Sequence, residues 1–260
     1  MFEGDSFKKM SNTKIKNRIY GNKKEISKSS VKSFFLDRAN RYDPLNPLVS
    51  VLYQDSNPEL AIKRDIEEKK IITHLLGLND DDRVLDIGCG IGRWAEKISS
   101  QVSLYHGTDL IPGFIEIATA RCSAYENTSF QVISAQDISP SSLAVKPPFS
   151  LVLISGLLIY LSDSDVEKLL KNIRLCVSKR SRILIREPIA LDQRLTLDNY
   201  WSEELKSHYS SIYRTASELR EMFTMFLGSF KLCADRPLFD ESLSNRRETR
   251  QHLFQLVGDL

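Results

Sequence analysis

Short apolar runs alternate with helix-like patterns through the middle of the chain. Each run is bounded by turn-forming residues, and the intervals carry apolar side chains at helical spacing. Strands that are apolar on both faces and linked by helices are typical of a parallel sheet covered by helices on both sides. The predicted strands are residues 83–87, 104–109, 130–134, 150–155, 182–186 and 226–234, with an antiparallel edge strand at 253–257.

The region before the first of these strands divides into two parts. Residues 1–30 are polar and basic with almost no apolar periodicity, which predicts a flexible segment, with an anion-contacting arm as the alternative. Apolar positions fall on one helical face from Val31, and a second helix is predicted between the Asn57-Pro58 start signal and Gly77. We therefore expect residues 31–260 to form a single domain with N-terminal lid helices in 31–78.

The pattern changes again after Pro188. Residues 191–205 carry Tyr200 and Trp201 among charged side chains and show no obvious strand, so 188–215 is predicted to be an insertion over the strand ends. The spacing of Thr215 and Glu218 is that of a capping box and predicts the start of a helix.

Composition narrows the classes of function. The 36 basic and 34 acidic side chains give a net charge of +2, which offers no general attraction for nucleic acid. The four cysteines are isolated, and no apolar run approaches the length of a membrane span. The histidines and carboxylates show no metal-ligand spacing. We expect a cytoplasmic protein that binds neither nucleic acid nor membrane and has no metal site.

A glycine-rich turn joins the first strand of the alternation to a helix. The strand ends at Asp86, and Gly88, Gly90 and Gly92 follow at alternate positions, where the lack of a Cβ lets a ligand approach the backbone. About twenty residues later the second strand ends at Asp109, which is placed to accept hydrogen bonds from ribose hydroxyls. The combination predicts a nucleoside-binding site.

These motifs resemble those of the class I S-adenosylmethionine-dependent methyltransferases, over residues 83–187. The resemblance takes in the glycine turn, Gly107–Asp109, Ser134–Asp137 and the region 149–160. It implies a Rossmann-like, mostly parallel seven-stranded α/β sheet with helices on both faces, and S-adenosyl-L-methionine as cofactor. The cofactor-binding residues it implies are Asp86, Gly88, Cys89, Gly90, Asp109, Leu110, Ala135, Gln136, Asp137 and Ser155.

The resemblance also implies a role for individual side chains. Asp109 would bind the ribose, Asp137 would accept from the adenine amino group, and Leu110 would pack on the adenine ring. Simpler roles remain open: Asp86 as a helix cap, Asp109 as an ordinary strand-end acid and Asp137 as a turn residue.

A nicotinamide-dependent dehydrogenase is the main competitor, because it also uses a glycine turn and a ribose-binding acid. A pyrophosphate requires the GxGxxG spacing and an uncharged helix N-terminus. Here the spacing is GxGxG, and Asp86 suits the cationic amino-acid end of S-adenosylmethionine. The methyltransferase interpretation is therefore preferred.

The acceptor is expected beyond the carboxyl ends of the strands. Tyr160 follows the fourth strand and is a candidate acceptor-side residue, although packing at the edge of the core is an alternative role. Arg186 and Glu187 end the fifth strand, where a structural salt bridge is the alternative to acceptor binding. The candidate catalytic residues are His208, Tyr160 and Glu187, and the candidate substrate-binding residues are Tyr42, Tyr53, Arg186, Tyr209, Tyr213 and Arg214.

Residues 208–215 have the composition of a binding loop. His208 has an unperturbed pKa near neutrality and is a candidate general base, with a surface or capping role as the alternative. Arg214 is a candidate clamp for a phosphate or carboxylate, against a salt bridge to Glu218. Tyr42 and Tyr53 are candidates for a lid over the cofactor.

The chain is loosely similar to small-molecule methyltransferases of bacterial glycan and natural-product pathways. That similarity favours O-methylation of a sugar, nucleotide-linked or phosphate-bearing intermediate. N-methylation of an amino sugar or amine is the alternative, and a non-catalytic cofactor-binding partner subunit is the alternative of another class. A homodimer is left open.

Overall fold

The computed structural model describes residues 17–52, 57–244 and 246–258. The helices are α1 (Lys28–Asn40), α2 (Val49–Leu52), α3 (Pro58–Leu76), α4 (Arg93–Ile98), α5 (Pro112–Arg121), α6 (Asp163–Cys176) and α7 (Ala216–Phe226). The strands are β1 (Arg18–Tyr20), β2 (Arg83–Ile87), β3 (Leu104–Asp109), β4 (Thr128–Val132), β5 (Phe149–Ser155), β6 (Val177–Ala190), β7 (Leu195–Ser202), β8 (Ser207–Tyr213), β9 (Phe230–Pro237) and β10 (Thr249–Gly258).

The main sheet has seven strands in the order β4-β3-β2-β5-β6-β10-β9. The pairs among β4, β3, β2, β5 and β6 are parallel, whereas β10 runs antiparallel to both β6 and β9. The predicted Rossmann-like, mostly parallel sheet is therefore confirmed. The prediction that the antiparallel strand lies at the edge is wrong, because β9 lies outside it.

Helices cover both faces of this sheet, each through its own apolar cluster. On one face Leu169 of α6 and Leu219 of α7 pack against the sheet residues Val152 and Ile185. On the other face Ile72 of α3 and Trp94 of α4 belong to a separate cluster with sheet residues. Strands buried on both faces explain why the sequence shows continuous apolar runs there.

The helix-end signals in the sequence form the expected caps. Asn57 accepts a hydrogen bond from Leu60 N at 3.1 Å, and Gly77 ends α3 with φ +51°. At α7 the Thr215 side chain accepts from the Glu218 backbone while the Glu218 carboxylate accepts from Thr215 N. These bonds satisfy amide groups that the first turn of a helix leaves without an intrahelical partner.

A second, three-stranded antiparallel sheet, in the order β1-β7-β8, corrects three predictions. The region predicted to be an insertion without strands contains the β7–β8 hairpin, and the predicted binding loop at 208–215 is mostly strand β8. The predicted flexible segment 1–30 contains β1, and α1 begins at Lys28. Residues 1–16 of that segment lie outside the described part of the chain.

A backbone irregularity explains why β7 was missed. Leu195 and Leu197 are buried at alternate positions, but the pairing with β8 shifts between Leu197 and Tyr200. Asn199 lies between the two residues where the pairing shifts and has φ +50°. Its backbone N–H donates to Ser210 Oγ at 2.9 Å. Such a bulge breaks the two-residue alternation on which strand prediction depends.

The second sheet and α1 come together over the carboxyl end of β5. Ile159 and Tyr160, in a 3₁₀ turn after β5, form an apolar cluster with Val31 of α1 and Ile212 of β8. These elements therefore cover the edge of the main sheet where parallel-sheet proteins bind ligands.

The burial of the cysteines and the length of the helices can be compared with the expectations of core thiols and of no membrane span. Cys89, Cys122 and Cys176 are buried as expected of core thiols, whereas Cys233 is exposed. Among the helices of the described ranges, none has the length and apolar character required to cross a bilayer.

Candidate functional site

The glycine turn after β2 is fastened to the end of β3. Gly88, Gly90 and Gly92 have φ values of +77°, +53° and +76°, which residues with a Cβ rarely adopt. The Gly88 and Cys89 amides donate to Thr108 O at 2.8 and 2.9 Å. The turn is therefore held in one conformation, with its backbone facing the space beyond the strand ends.

Asp109 completes this attachment. One carboxylate oxygen accepts from Gly90 N at 3.0 Å and the other accepts from Ile111 N at 2.9 Å. Burial raises the pKa of Asp109 to about 6, and the backbone donors oppose that shift. Each oxygen keeps further lone pairs, so the carboxylate can still accept from a ligand hydroxyl.

A cavity of about 150 Å³, called here the cofactor cavity, opens beside this carboxylate. Its wall contains most of the residues that the sequence implied for the cofactor. These are Gly88, Gly90, Asp109, Leu110, Ala135, Gln136 and Ser155. Phe35 of α1 and Val51 of α2 add apolar surface from the N-terminal helices. The wall is mainly apolar with few polar groups, as nucleoside sites are.

Three residues of the implied cofactor set, Asp86, Cys89 and Asp137, do not line the cofactor cavity. Asp137 is exposed and forms a salt bridge to Lys168 at 2.8 Å, so it does not line the cofactor cavity and its assignment to the adenine is corrected. The alternative role of Asp137 as a turn residue fits the structure, because Asp137 ends a 3₁₀ turn. Gln136, one residue earlier, supplies a polar group to the wall instead.

Asp86 is buried beneath the glycine turn and does not line the cofactor cavity. One of its oxygens accepts from the Tyr105 hydroxyl, and Oδ1 has no hydrogen-bond partner among the described residues. Burial raises the pKa of Asp86 to about 7. It does not cap α4, because the residue before that helix is Gly92.

A larger cavity of about 490 Å³, called here the acceptor cavity, adjoins the cofactor cavity. The two share a wall formed by Val51, Gly88, Gly90, Ser155, Gly156 and Tyr160. Cys89, the remaining residue of the implied cofactor set, lines only the acceptor cavity. The other walls come from α3, the second sheet and residues 239–251.

Arginine is the charged residue that dominates the acceptor cavity. Its described wall contains seven arginines and four glutamates, and no lysine or aspartate. The arginines are Arg18, Arg64, Arg93, Arg186, Arg246, Arg247 and Arg250. Burial lowers the pKa of Arg64, and the nearby Arg246 and Arg186 lower it further. Positive charge is therefore concentrated in this cavity.

Glu68 of α3 holds two of these arginines. Its carboxylate binds Arg186 through two nitrogens at 2.9 Å each and Arg93 at 2.8 Å. Burial alone would raise the pKa of Glu68, but the two arginines outweigh it and lower the pKa to about 2. For Arg186, which lines the acceptor cavity, the salt bridge left open from the sequence is therefore present.

Ion pairs also connect the segments at the rim of the acceptor cavity. Arg18 of β1 pairs with Glu248, and Arg246 pairs with Glu204 of the β7–β8 turn. The sequence predictions missed Glu68, Arg64, Arg18 and Arg246. Helical periodicity alone places Glu68 on the buried face of α3, and a carboxylate at such a position signals a buried ion pair.

Tyrosines form the aromatic part of the acceptor cavity. Tyr160, Tyr200, Tyr209 and Tyr213 line it, and the Tyr209 and Tyr213 hydroxyls lie 2.8 Å apart. Burial raises the pKa of Tyr209 above its usual range, so this phenol keeps its proton near neutrality. Tyr160, Tyr209 and Tyr213 were predicted acceptor-side residues.

Other predicted acceptor-side residues are placed elsewhere. His208 is exposed, its Nδ1 lies 3.0 Å from Asn199 O, and its ring packs against Trp201, so it lines neither cavity. Tyr42 accepts from Arg121 at 3.0 Å, away from both cavities. Tyr53 lies outside the described residues.

Glu187 and Arg214 are both buried behind the cavities, so neither can touch a ligand there. Glu187 accepts from the amides of residues 157 and 158. Arg214 donates to Asp163 and to two carbonyls of the turn after β5. The open alternative of a pair with Glu218 is not formed, since Arg194 binds that carboxylate.

The residues present fit S-adenosylmethionine. A Cβ at Gly88 would lie 3.1 Å from Leu157 and one at Gly90 would lie 3.1 Å from Val51, and both φ values are positive, so glycine is the residue that fits at each position. Asp109 would offer an acceptor to the ribose, and Asp86, buried beneath the turn, keeps an Oδ1 atom without a hydrogen-bond partner among the described residues. Within the described ranges no group of three or more His, Cys, Asp or Glu side chains could hold a metal ion.

Comparison with known proteins points to the same chemistry. Residues 84–180 match the family model described as a methyltransferase domain. A phosphoethanolamine N-methyltransferase of Triticum aestivum is 30% identical over 127 residues, which are 49% of this chain and 25% of that protein. The chain thus spans about a quarter of the length of this curated relative.

Solved structures share the fold over most of the chain. A phosphoethanolamine N-methyltransferase of Haemonchus contortus, in complex with phosphoethanolamine and S-adenosylhomocysteine, has a TM-score of 0.68 at 20% identity, covering 90% of this chain and 49% of that one. The N-methyltransferase NodS of Bradyrhizobium japonicum WM9, with S-adenosylhomocysteine, has a TM-score of 0.57 at 16% identity, covering 88% and 98%.

Proposed function

We propose that the chain is a methyltransferase that uses S-adenosylmethionine to methylate a small molecule carrying both an amine and a phosphate or similar anionic group, since residues 84–180 match a methyltransferase domain. The bound cofactor would supply an electrophilic methyl group next to the shared wall of the two cavities. The arginine-dominated wall of the acceptor cavity is the observation that carries the proposal.

The arginines support an anionic acceptor. With seven guanidinium groups and four carboxylates, the described wall has an excess of positive charge. Guanidinium groups bind phosphate bidentately and stay charged at all relevant pH values. The Triticum aestivum relative is named a phosphoethanolamine N-methyltransferase, and the Haemonchus contortus structure holds phosphoethanolamine. Both are consistent with an acceptor that carries an amine and a phosphate.

An amine is favoured over a hydroxyl because no side chain of the described acceptor wall is suited to be a general base. None of the four histidines lines it. Glu68, Glu204 and Glu248 are bound to arginines, and Glu203 accepts from Trp201 and Lys206. A hydroxyl acceptor needs such a base, whereas an amine can lose its proton to solvent before transfer.

The tyrosines are compatible with an amine acceptor, because aromatic faces attract alkylammonium groups. O-methylation of a sugar or nucleotide-linked intermediate is the second candidate. The volume of the acceptor cavity, about 490 Å³, favours it, since that space suits an acceptor larger than a simple phosphorylated amine.

The test measures transfer of a labelled methyl group from S-adenosylmethionine to three acceptors: phosphoethanolamine, ethanolamine and a hexose phosphate. Methylation of phosphoethanolamine with at least about a tenfold lower kcat/KM for ethanolamine supports the proposal, because the anion then contributes to binding. Methylation of the hexose phosphate alone supports the second candidate. Cofactor binding without transfer to any of a wide set of phosphorylated amines would contradict the proposal and favour a non-catalytic subunit.

A further inference from the structure

One short turn forms a wall of both cavities. Residues 157–161, called here the acceptor turn, follow β5 and carry Tyr160, whose side chain lines both cavities. Leu157 in the same turn lines the cofactor cavity and lies against Gly88, where an added Cβ would approach its side chain to 3.1 Å. The position of the acceptor turn therefore sets the geometry between cofactor and acceptor.

The amide side of the acceptor turn is bound by Glu187. One carboxylate oxygen, Oε1, accepts from Leu157 N at 2.7 Å and from Leu158 N at 2.8 Å. Glu187 is only 1% exposed, and its Oε2 atom is buried with no hydrogen-bond partner in the described ranges. A buried carboxyl group whose one oxygen accepts hydrogen bonds from two backbone amides fixes the path of the chain at that point.

The carbonyl side of the same turn is bound by Arg214. Its Nη1 donates to Leu158 O and its Nη2 donates to Leu161 O, each at 2.8 Å. Its Nε donates to Asp163 Oδ1 at 2.8 Å, which orients the guanidinium. Arg214 is 2% exposed, so these bonds are shielded from water.

The two side chains act on opposite ends of the peptide groups. Glu187 accepts from the amides and Arg214 donates to the carbonyls, and the positive charge of Arg214 makes its hydrogen bonds stronger than neutral ones. Their strands are adjacent to the turn: Glu187 is on β6, next to β5, and Arg214 directly follows β8. Neither side chain lines a cavity.

We infer that Glu187 and Arg214 are positioning residues that hold the acceptor turn, and with it Tyr160, against the acceptor. The inference rests on the proposed function in assigning an acceptor to the larger cavity. It gives Glu187 and Arg214, which the sequence suggested as groups in contact with the acceptor, a role exerted through the backbone of another segment.

Two substitutions at Glu187 separate positioning from a merely structural role. Glu187→Gln keeps Oε1 as an acceptor and nearly the same size, whereas Glu187→Met keeps the size and removes the acceptor. We expect kcat of Glu187→Gln to stay within about threefold of wild type and kcat of Glu187→Met to fall at least about tenfold, more than KM for S-adenosylmethionine changes. Equal kcat values for wild type and Glu187→Met would overturn the inference.

A double-mutant cycle identifies the residue through which Glu187 acts. If Glu187 acts by positioning Tyr160, the loss in Glu187→Met with Tyr160→Leu should be close to the loss in Tyr160→Leu alone. Losses that multiply would show independent effects and contradict the inference. Arg214→Lys, which keeps the charge but cannot bridge both carbonyls, is expected to lower kcat in the same way and serves where Glu187→Met does not fold.

Amide hydrogen exchange gives a readout that does not depend on turnover. The peptide containing residues 157 and 158 should exchange at the wild-type rate in Glu187→Gln and faster in Glu187→Met, at a pH where both are folded. If the wild-type protein transfers no methyl group, the proposed function fails and the exchange result alone decides whether Glu187 holds the turn. Equal protection of this peptide in all three proteins would overturn the inference.

Discussion

The two cavities differ in where their walls come from. The cofactor cavity is built mainly from β2, β3, β5 and the turns that follow the strands, which are close to one another in the folding pattern of the sheet. The acceptor cavity draws on β1, α3, the β7–β8 hairpin and residues 239–251 as well. One cavity is mainly apolar with few charges, and the other is lined by seven arginines, of which Arg18, Arg93, Arg186 and Arg246 form ion pairs. The first therefore depends on backbone geometry and the second on charge.

The largest expected effect concerns the ion pairs of the acceptor cavity. Glu68→Leu removes the carboxylate that Arg186 and Arg93 share and leaves two buried cations without it. We expect the free energy of unfolding to fall by about 3–5 kcal/mol. Urea unfolding measures it, with Glu67→Leu on the same helix as the control, because among the described residues Glu67 pairs with the exposed Lys70. A loss no larger than that of the control would contradict the central place of Glu68.

The next largest effect is a pH dependence of the free energy of unfolding that arises from the buried Glu187. Burial raises the pKa of Glu187 from 4.5 to about 7, and the amides of Leu158 and Leu157 oppose the shift. The folded state therefore retains a proton that the unfolded chain has released, and the resulting stabilisation is complete below about pH 4.5 and is lost as the pH rises through 7.

Glu187→Gln removes this titration without removing the acceptor oxygen. Relative to the variant, the wild type should lose up to about 3 kcal/mol of unfolding free energy between pH 4.5 and 8. Urea unfolding of both proteins across that range isolates Glu187 from Asp86 and Asp109, which are unchanged in both. A difference that stays constant with pH would show that Glu187 is ionised throughout.

On the cofactor side, Asp109→Ala should weaken binding of S-adenosylhomocysteine. The substitution removes the proposed acceptor for the ribose and the hydrogen bond that attaches Gly90 to the end of β3. The expected cost is about 1–3 kcal/mol, or roughly fivefold to 150-fold in Kd by calorimetry. Asp137→Ala is the matched control, because that exposed carboxylate pairs with Lys168 and should leave Kd unchanged. Equal Kd values for wild type and Asp109→Ala would remove Asp109 from the site.

A smaller effect is expected at the rim of the acceptor cavity. Arg246→Gln removes one cation near Arg64 and Arg186, so KM for a phosphorylated amine should rise by roughly tenfold while Kd for S-adenosylhomocysteine stays the same. Lys206→Gln, at an exposed position outside the cavity walls, controls for loss of surface charge. An equal rise in both variants would mean that general electrostatic attraction, not the cavity, recognises the anion.

The smallest effect is expected at His208. Its ring is exposed on the second sheet and lines neither cavity. His208→Ala should leave kcat within about twofold across the pH range, as surface substitutions usually do. A large fall in kcat on the alkaline or acidic limb of the profile would restore this histidine as a candidate base.

The sequence predicted the main sheet and most of the cofactor cavity because both depend on local signals. The apolar runs and the glycine spacing lie on contiguous segments, and the fold brings the ends of neighbouring parallel strands together. Asp137 is the exception there, since neither the motif nor its spacing fixes which way a turn side chain points.

The acceptor cavity was less predictable because its charged residues are far apart in sequence. Arg186 and Glu68 are separated by 118 positions and meet only after α3 packs on the main sheet. The hairpin that supplies Tyr209 and Tyr213 was hidden by the bulge at Asn199. His208, predicted as a general base from its residue type, has no periodic signal that would show which face of the hairpin it occupies.

The most direct test of the account is calorimetric titration of the chain with S-adenosylhomocysteine, with NAD as the control ligand. If the glycine turn binds S-adenosylmethionine, we expect one site per chain of micromolar affinity for S-adenosylhomocysteine and no heat of binding with NAD. Binding of NAD alone, or of neither ligand, would contradict the assignment of the glycine turn to S-adenosylmethionine and with it the proposed methyl transfer.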